Sequence, residues 1–168
     1  MKSCSQFFLL FAILIILSCQ KTETTPKGPV HCDGLINQNF GIQDDALLLV
    51  PNAFTPNEDG LNDAFGPVTR NVASYVMTIY DEQNQVVFTS DNHSLVWASH
   101  STTTLNKKYL YKIQAITKES NYIGVCGEVY PLSCIPKGVP NDSLKFADQI
   151  DLDKGFVFPT QEKLTTCD

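Results

Sequence analysis

Residues 109–117 (YLYKIQAIT) have the alternating pattern of a half-buried β-strand, with Tyr109, Tyr111, Ile113 and Ala115 on one face. Similar β-rich segments recur about every ten residues, and polar turns separate them. These segments cover residues 47–50, 75–80, 85–89, 94–98 and 122–130. No apolar run after residue 18 has a convincing helical period. The sequence therefore predicts an all-β chain that folds as a small antiparallel β-sandwich.

The first 19 residues are organised like an export signal. An apolar run at residues 7–17 follows Lys2, and it is shorter than the roughly 20 residues that span a bilayer. Residues 16–19 (ILSC) resemble the lipobox of bacterial lipoproteins, which implies cleavage after Ser18 and lipid attachment to Cys19. We therefore expect a signal peptide at residues 1–18 and an envelope protein, in particular an outer-membrane lipoprotein exposed at the cell surface. The alternatives are an uncleaved anchor and a cleaved signal without lipid.

Export also determines how the cysteines are interpreted. Four cysteines remain after Cys4 and Cys19, an even number that favours two disulfides in an exported protein. They are Cys32, Cys126, Cys134 and Cys167. In a continuous strand Cys126 and Cys134 would lie about 26 Å apart, too far for a disulfide, unless Pro131 breaks the strand. Cys32 and Cys167 are then each expected to pair near the last strand, and a metal site built from these thiols is the alternative.

The composition divides the exported chain into three parts. Residues 19–31 are polar and contain two prolines, which predicts a flexible tether. We expect the sandwich at residues 32–135. The acidic, proline-interrupted residues 136–168 are expected to pack over it as a C-terminal extension, through Phe146, Phe156 and Phe158.

Residues 50–65 (VPNAFTPNEDGLNDAF) form the distinctive motif of the chain. They resemble the opening of the gliding-motility-associated C-terminal domain family, which is found on cargo of the type IX secretion system. Glu58 stands where that family usually has glycine, and the resemblance continues more weakly to about residue 132. It implies an immunoglobulin-like β-sandwich that the secretion machinery recognises. In this chain a lipobox and an extension of about thirty residues flank the domain.

The same motif has the composition of a cation-binding loop. Asn57, Asp59, Asn62 and Asp63 surround Gly60, and closely spaced side-chain oxygens around a glycine turn suit Ca²⁺. The alternative is that these side chains hydrogen bond to their own backbone in Asx turns. The sequence leaves both interpretations open, so Ca²⁺ is a possible cofactor and no other is expected.

Charge and motifs narrow the function classes. The net charge of −6 offers no basic surface for nucleic acid, and His31, His93 and His100 show no catalytic or metal-binding spacing. We therefore expect no catalytic residue and no enzyme. The leading hypothesis is a lipid-anchored module that binds envelope or surface proteins in adhesion or gliding. The alternatives are a type IX secretion-linked protein recognised through its sandwich, and a carbohydrate-binding module with Trp97, Tyr109, Tyr111 and Tyr122 as a stacking platform.

Overall fold

A computed structural model describes residues 30–37, 44–98 and 103–168. The predicted signal peptide, Cys19, most of the predicted tether and His100 lie outside these residues. Within the described part of the chain, no helix is long and apolar enough to cross a membrane.

Strands dominate the described residues, and three short 3₁₀ turns at Val30–Cys32, Asn141–Ser143 and Ala147–Gln149 accompany them. The strands are Leu47–Leu49 (β1), Ala53–Phe54 (β2), Ala64–Phe65 (β3), Val68–Arg70 (β4), Val72–Tyr80 (β5), Val86–Ser90 (β6), Trp97–Ala98 (β7), Tyr109–Thr117 (β8), Tyr122–Pro131 (β9), Ile150–Asp151 (β10) and Gly155–Phe156 (β11). The predicted all-β class is confirmed.

A five-stranded sheet in the order β2-β9-β8-β5-β6 forms the main layer. The hairpins β5–β6 and β8–β9 pair antiparallel, in line with the polar turns of the sequence. The edge strand β2 departs from the all-antiparallel expectation, because it pairs parallel to the end of β9. Backbone hydrogen bonds on either side of Ala53, from Tyr130 N to Asn52 O and from Leu132 N to Phe54 O, hold β2 there.

The core lies between one face of this sheet and two small antiparallel sheets, β1–β4 and β3–β7. Tyr109, Tyr111, Ile113 and Ala115 of β8 are all buried, as their alternation predicts. Trp97 of β7 stands edge-on to Tyr109 with ring centroids 5.0 Å apart, and Phe65 of β3 lies 5.4 Å from Tyr111. These contacts across two layers confirm the sandwich.

Residues 136–168, which we call the C-terminal clamp, pack around a second small core at the end of β9. Its buried members are Ala53, Leu132, Ile135, Leu144 and Phe146. Of the three phenylalanines expected to dock the clamp, only Phe146 is buried. Phe156 lies beneath the Lys145 ammonium at 5.3 Å, and the Phe158 side chain is 51% exposed, although its backbone O accepts from Gln149 Nε2 at 3.0 Å.

Candidate functional site

The motif loop, residues 57–63, is folded by its own side chains. The Asp63 carboxylate accepts hydrogen bonds from Glu58 N at 2.6 Å and Gly60 N at 2.7 Å. Asp59 Oδ1 accepts from Leu61 N at 2.9 Å, and Asn57 Oδ1 accepts from Asp59 N at 3.2 Å. These are the Asx-type bonds that the sequence offered as one interpretation of the loop.

The four residues predicted as calcium ligands do not share one set of contacts. Asn57, Asp59 and Asp63 lie together in the loop, and both oxygens of Asp63 already have backbone donors. Asn62 bonds instead to the C-terminal clamp. Among the described histidines, cysteines and carboxylates, the group whose ligand atoms converge is His31, Cys32 and Cys126, not this loop. The geometry therefore favours the turn interpretation of the motif.

Asn62 connects the motif loop to the clamp through both ends of its carboxamide. Its Nδ2 donates to Asp148 Oδ1 at 3.1 Å and to Glu162 Oε1 at 3.0 Å, while its Oδ1 accepts from Asp148 N at 3.0 Å. Thr55 Oγ1 donates to the same Glu162 oxygen. Two charged groups of the clamp thus meet the polar side chains of the motif, and bonds to a charged partner are stronger than neutral ones.

Asn52 forms a second connection, on the strand side of the motif. Its backbone N donates to Lys145 O at 2.8 Å, and its Oδ1 accepts from Lys145 N at 2.6 Å. Its Nδ2 donates to Ser143 O at 2.9 Å. Asn52 therefore pairs with the clamp as an extra strand residue would, and the clamp covers the start of the motif.

A disulfide closes the clamp onto the sandwich. Cys134 and Cys167 are bonded across 33 residues, and Ile135 pairs with Thr166 in a parallel bridge beside them. Asn106 holds the segment directly before the clamp, because its Oδ1 accepts from Ser133 N at 2.8 Å and Cys134 N at 3.1 Å. The chain end is thereby fixed next to β9.

The opposite face of the main sheet carries an N-terminal strap, residues 30–37. Cys32 is bonded to Cys126 of β9. The Gln114 side chain accepts from Ile36 N at 2.8 Å and donates to Ile36 O at 2.9 Å, as a strand backbone would. Lys112 Nζ donates to Asp33 O at 3.0 Å. Both predicted disulfides are therefore present, and neither links Cys126 to Cys134.

Within the strap, His31 is 6% exposed and its Nδ1 is buried without a hydrogen-bond partner. Burial lowers the pKa of His31; nearby Glu128 opposes this effect, and Lys108 and Lys112 add to it. The sequence placed His31 among scattered surface histidines and gave no sign of this burial. His93, in contrast, is exposed and stacks on Tyr75 with ring centroids 4.5 Å apart.

The aromatic residues considered for sugar stacking do not form a platform. Trp97, Tyr109 and Tyr111 are core residues with at most 8% of their surface exposed. Tyr122 is half-buried at the start of β9. A stacking surface needs exposed coplanar rings, and these three are buried.

The edge strand β6 is the most apolar exposed part of the main sheet. Val86 is 60% exposed and Val87 is 38% exposed. Ile79 pairs with Phe88 and Tyr80 with Val86, so Val87 is an extra residue in a β-bulge. Among the described strands β6 has β5 as its one neighbour, so β6 is an edge strand of the main sheet. A shallow cavity of about 200 Å³ adjoins it, lined by Asp81, Val87, Lys107 and Lys108 among others.

Comparison with known proteins agrees with the resemblance seen in the motif. Residues 48–126 match the model of the CHU_C type IX secretion signal domain. No curated protein and no solved structure matches the chain. The matched region runs from β1 into β9, and the clamp lies beyond it.

Proposed function

We propose that this chain, which carries a CHU_C type IX secretion signal domain at residues 48–126, is an outer-membrane lipoprotein that works by binding another envelope protein. The family links the chain to type IX secretion and to secreted or cell-envelope proteins. The lipobox at residues 16–19 supports an anchor on Cys19. The partner belongs to the adhesion or gliding apparatus, and the module acts without catalysis.

One observation carries the proposal: the motif is bound by the chain's own clamp. Asn52, Thr55 and Asn62 all hydrogen bond to clamp residues, and the Cys134–Cys167 disulfide holds the clamp in place. A partner that needed those side chains would have to displace a covalently closed segment. The partner surface is therefore elsewhere on the sandwich.

The β6 edge is the surface best suited to that partner. An open strand edge binds an extended segment through backbone hydrogen bonds, and exposed side chains beside it provide specificity. Val86 and Val87 offer the apolar contacts, while the charged cavity beside Val87 can take polar side chains. The partner we expect is a protein that presents an extended, partly apolar strand.

Cross-linking in intact cells tests this assignment. The tagged full-length chain, Val87→Lys and Val157→Lys would be expressed in a bacterium with a type IX system. Val157 is the matched control because it is a valine of similar exposure, 44%, on the clamp. We expect wild type and Val157→Lys to capture the same partner, and Val87→Lys to capture at least about tenfold less, the equivalent of ~1.4 kcal/mol. Equal capture by all three would exclude the β6 edge.

The family match favours a second function, in which the sandwich itself is recognised by the secretion machinery. A reporter fused to residues 30–168 behind a cleavable signal peptide distinguishes the two. The binding-module proposal predicts that the fusion stays in the periplasm of both a type IX-competent strain and a type IX-deficient strain. Release from the competent strain alone would establish the recognition function instead.

A further inference from the structure

A buried histidine and two sulfur atoms converge beneath the N-terminal strap, on the side of the sheet opposite the core. A ring nitrogen of His31 and the sulfurs of Cys32 and Cys126 lie within 4.8 Å of one another. His31 is 6% exposed, and its Nδ1 is buried without a hydrogen-bond partner. Burying a polar atom unpaired costs free energy, so such an atom in a native fold calls for an explanation.

The oxidised strap joins the two sulfurs and leaves Nδ1 of the imidazole without a hydrogen-bond partner. The Cys32–Cys126 disulfide needs no histidine beside it, and other bonds already hold the strap, namely those from Gln114 and Lys112. The position of His31 is explained if all three side chains bind one ligand when the two sulfurs are reduced. One imidazole and two thiolates form a ligand set that suits the d¹⁰ cations Cu⁺ and Zn²⁺.

We propose that reduction of the Cys32–Cys126 disulfide opens a site for a thiophilic d¹⁰ cation, Cu⁺ or Zn²⁺, bound by His31, Cys32 and Cys126. The reductant is a dithiol. One of its thiolates attacks one sulfur, the other sulfur leaves as a thiolate, and the second thiol of the reductant resolves the mixed disulfide. Two electrons pass to the strap, the dithiol becomes a disulfide, and each cysteine thiol releases its proton to water when the metal binds.

Access agrees with this assignment. Cys32 and Cys126 are both half-buried, so a reductant and a hydrated cation can reach them. Lys108, Lys112 and Glu128 all act electrostatically on His31, and Lys108 is paired with Glu128 at 3.1 Å. The metal would then tie the strap to β9 in place of the disulfide.

Metal titration of the full-length mature chain tests the site. Protein reduced with a phosphine, which itself binds these metals weakly, would be titrated anaerobically with Cu⁺ or Zn²⁺ against a chromophoric chelator. Co²⁺ would report sulfur ligation by its charge-transfer absorption. We expect one equivalent bound by reduced protein and none by oxidised protein at these residues, and the two titrations show which cation binds more tightly.

Three variants identify the ligands. His31→Ala is expected to weaken binding by at least about tenfold, since even the loss of a residue that only supports a ligand costs about 10–100-fold. His93→Ala, at the exposed histidine, should bind as wild type. Cys134→Ser/Cys167→Ser removes the other cysteine pair and should keep the site.

Each other outcome overturns the proposal. Unchanged affinity in His31→Ala would show that the histidine is not a ligand. Loss of binding in Cys134→Ser/Cys167→Ser, with circular dichroism like that of wild type, would assign the metal to the clamp cysteines. Absence of uptake by reduced wild type, whether the chain stays folded or unfolds, would show that the site does not form.

Discussion

At the scale of single residues, side-chain carboxylates and amides form hydrogen bonds with backbone N–H and C=O groups that, within the described residues, have no partner in a neighbouring strand. Asp63 satisfies two backbone N–H groups of the motif loop, and Gln114 pairs with both backbone groups of Ile36. Each bond replaces a strand or turn partner that the short elements do not provide. Individual substitutions at such positions should therefore have measurable effects on stability.

Glu58 has a backbone conformation better suited to glycine. Its φ is +63°, in the left-handed region that costs a residue with a Cβ about 1 kcal/mol or more. We expect Glu58→Gly to raise the free energy of unfolding by about 0.5–1 kcal/mol in urea denaturation, because glycine adopts this φ freely. Glu82→Gly is the control. Glu82 lies in a turn but is not among the described residues with positive φ, and its replacement should destabilise the protein. If Glu58→Gly and Glu82→Gly changed the free energy of unfolding equally, the explanation would be wrong.

Asp44 should make stability depend on acid pH. Its Oδ2 accepts from Asn121 Nδ2 at 2.6 Å and from Thr117 Oγ1 at 2.9 Å. The Asn121 bond in particular holds the pKa of Asp44 below its usual 3.8, and desolvation opposes it. A lowered folded-state pKa means that the charged carboxylate stabilises the fold above the ordinary pKa, and that this contribution disappears as pH falls through the lower value.

We therefore expect Asp44→Asn to lower stability at pH 7 and to make it fall less steeply between about pH 5 and pH 2. Urea denaturation across that range measures the effect. Asp91→Asn, which removes an exposed carboxylate directly after β6, should leave the slope as in wild type. If stability fell with pH equally steeply in Asp44→Asn and in wild type, the Asp44 carboxylate would not contribute to the pH dependence.

At the scale of elements, the sequence predicted the long strands and the short strands β1 and β7, and it missed the other short strands. The segments at 75–80, 109–117 and 122–130 are long enough for their residue pattern to identify a strand, and β5, β8 and β9 contain them. The two- and three-residue strands β2, β3 and β4 carry too little periodicity to be seen. Their pairing depends on partners far away in the sequence, as for the parallel contact of Ala53 with Tyr130.

The same limit applies to the candidate site. Asp59, Asp63 and Gly60 stand close together in the sequence, so the turn they form could be proposed from spacing alone. Asn62 and Glu162 are 100 residues apart, and no local pattern indicates that they meet. The convergence of His31 with Cys126 was hidden for the same reason. The site contacts that could not be predicted from the sequence are therefore those between residues that only tertiary packing brings together.

The clamp should protect the motif from solvent. Asn62→Ala removes the three hydrogen bonds to Asp148 and Glu162 and leaves their charges without this partner. We expect the free energy of unfolding to fall by about 1–3 kcal/mol. Amide hydrogen exchange should become faster in the motif loop and in residues 148–162. Asn57→Ala, in the same loop but bonded within it, is the control and should leave exchange in the clamp unchanged. Slow exchange in the clamp of Asn62→Ala would show that the apolar contacts alone hold it.

Calcium gives a further test of the loop as an element. Because the Asp63 oxygens already accept from two backbone N–H groups, we expect neither added Ca²⁺ nor a chelator to shift the thermal unfolding midpoint. Calorimetric titration of wild type and of Asp59→Ala/Asp63→Ala measures the same point directly. Heat of binding in wild type that disappears in the double variant would establish the calcium interpretation instead.

At the scale of the whole molecule, both ends of the described chain are fastened to one strand. The strap is bonded to Cys126 within β9, and the clamp is bonded to Cys134 just after β9 ends. The two disulfides enclose separate stretches, of 94 and 33 residues, and they lie on different parts of the fold. Cross-links of these lengths stabilise by about 3–5 kcal/mol each when they act by restricting the unfolded chain.

Because the enclosed stretches do not overlap, their contributions should add. We expect the destabilisation of Cys32→Ser/Cys126→Ser and that of Cys134→Ser/Cys167→Ser to sum, within about 0.5 kcal/mol, to that of the fourfold variant. Urea denaturation of wild type, the two double variants and the fourfold variant completes this double-mutant cycle. An equal dependence of the free energy of unfolding on urea concentration would confirm that the four unfolded states are comparable. A coupling energy well above about 0.5 kcal/mol would mean that the strap and the clamp stabilise each other through β9. In that case reduction beneath the strap would also loosen the segment that covers the motif.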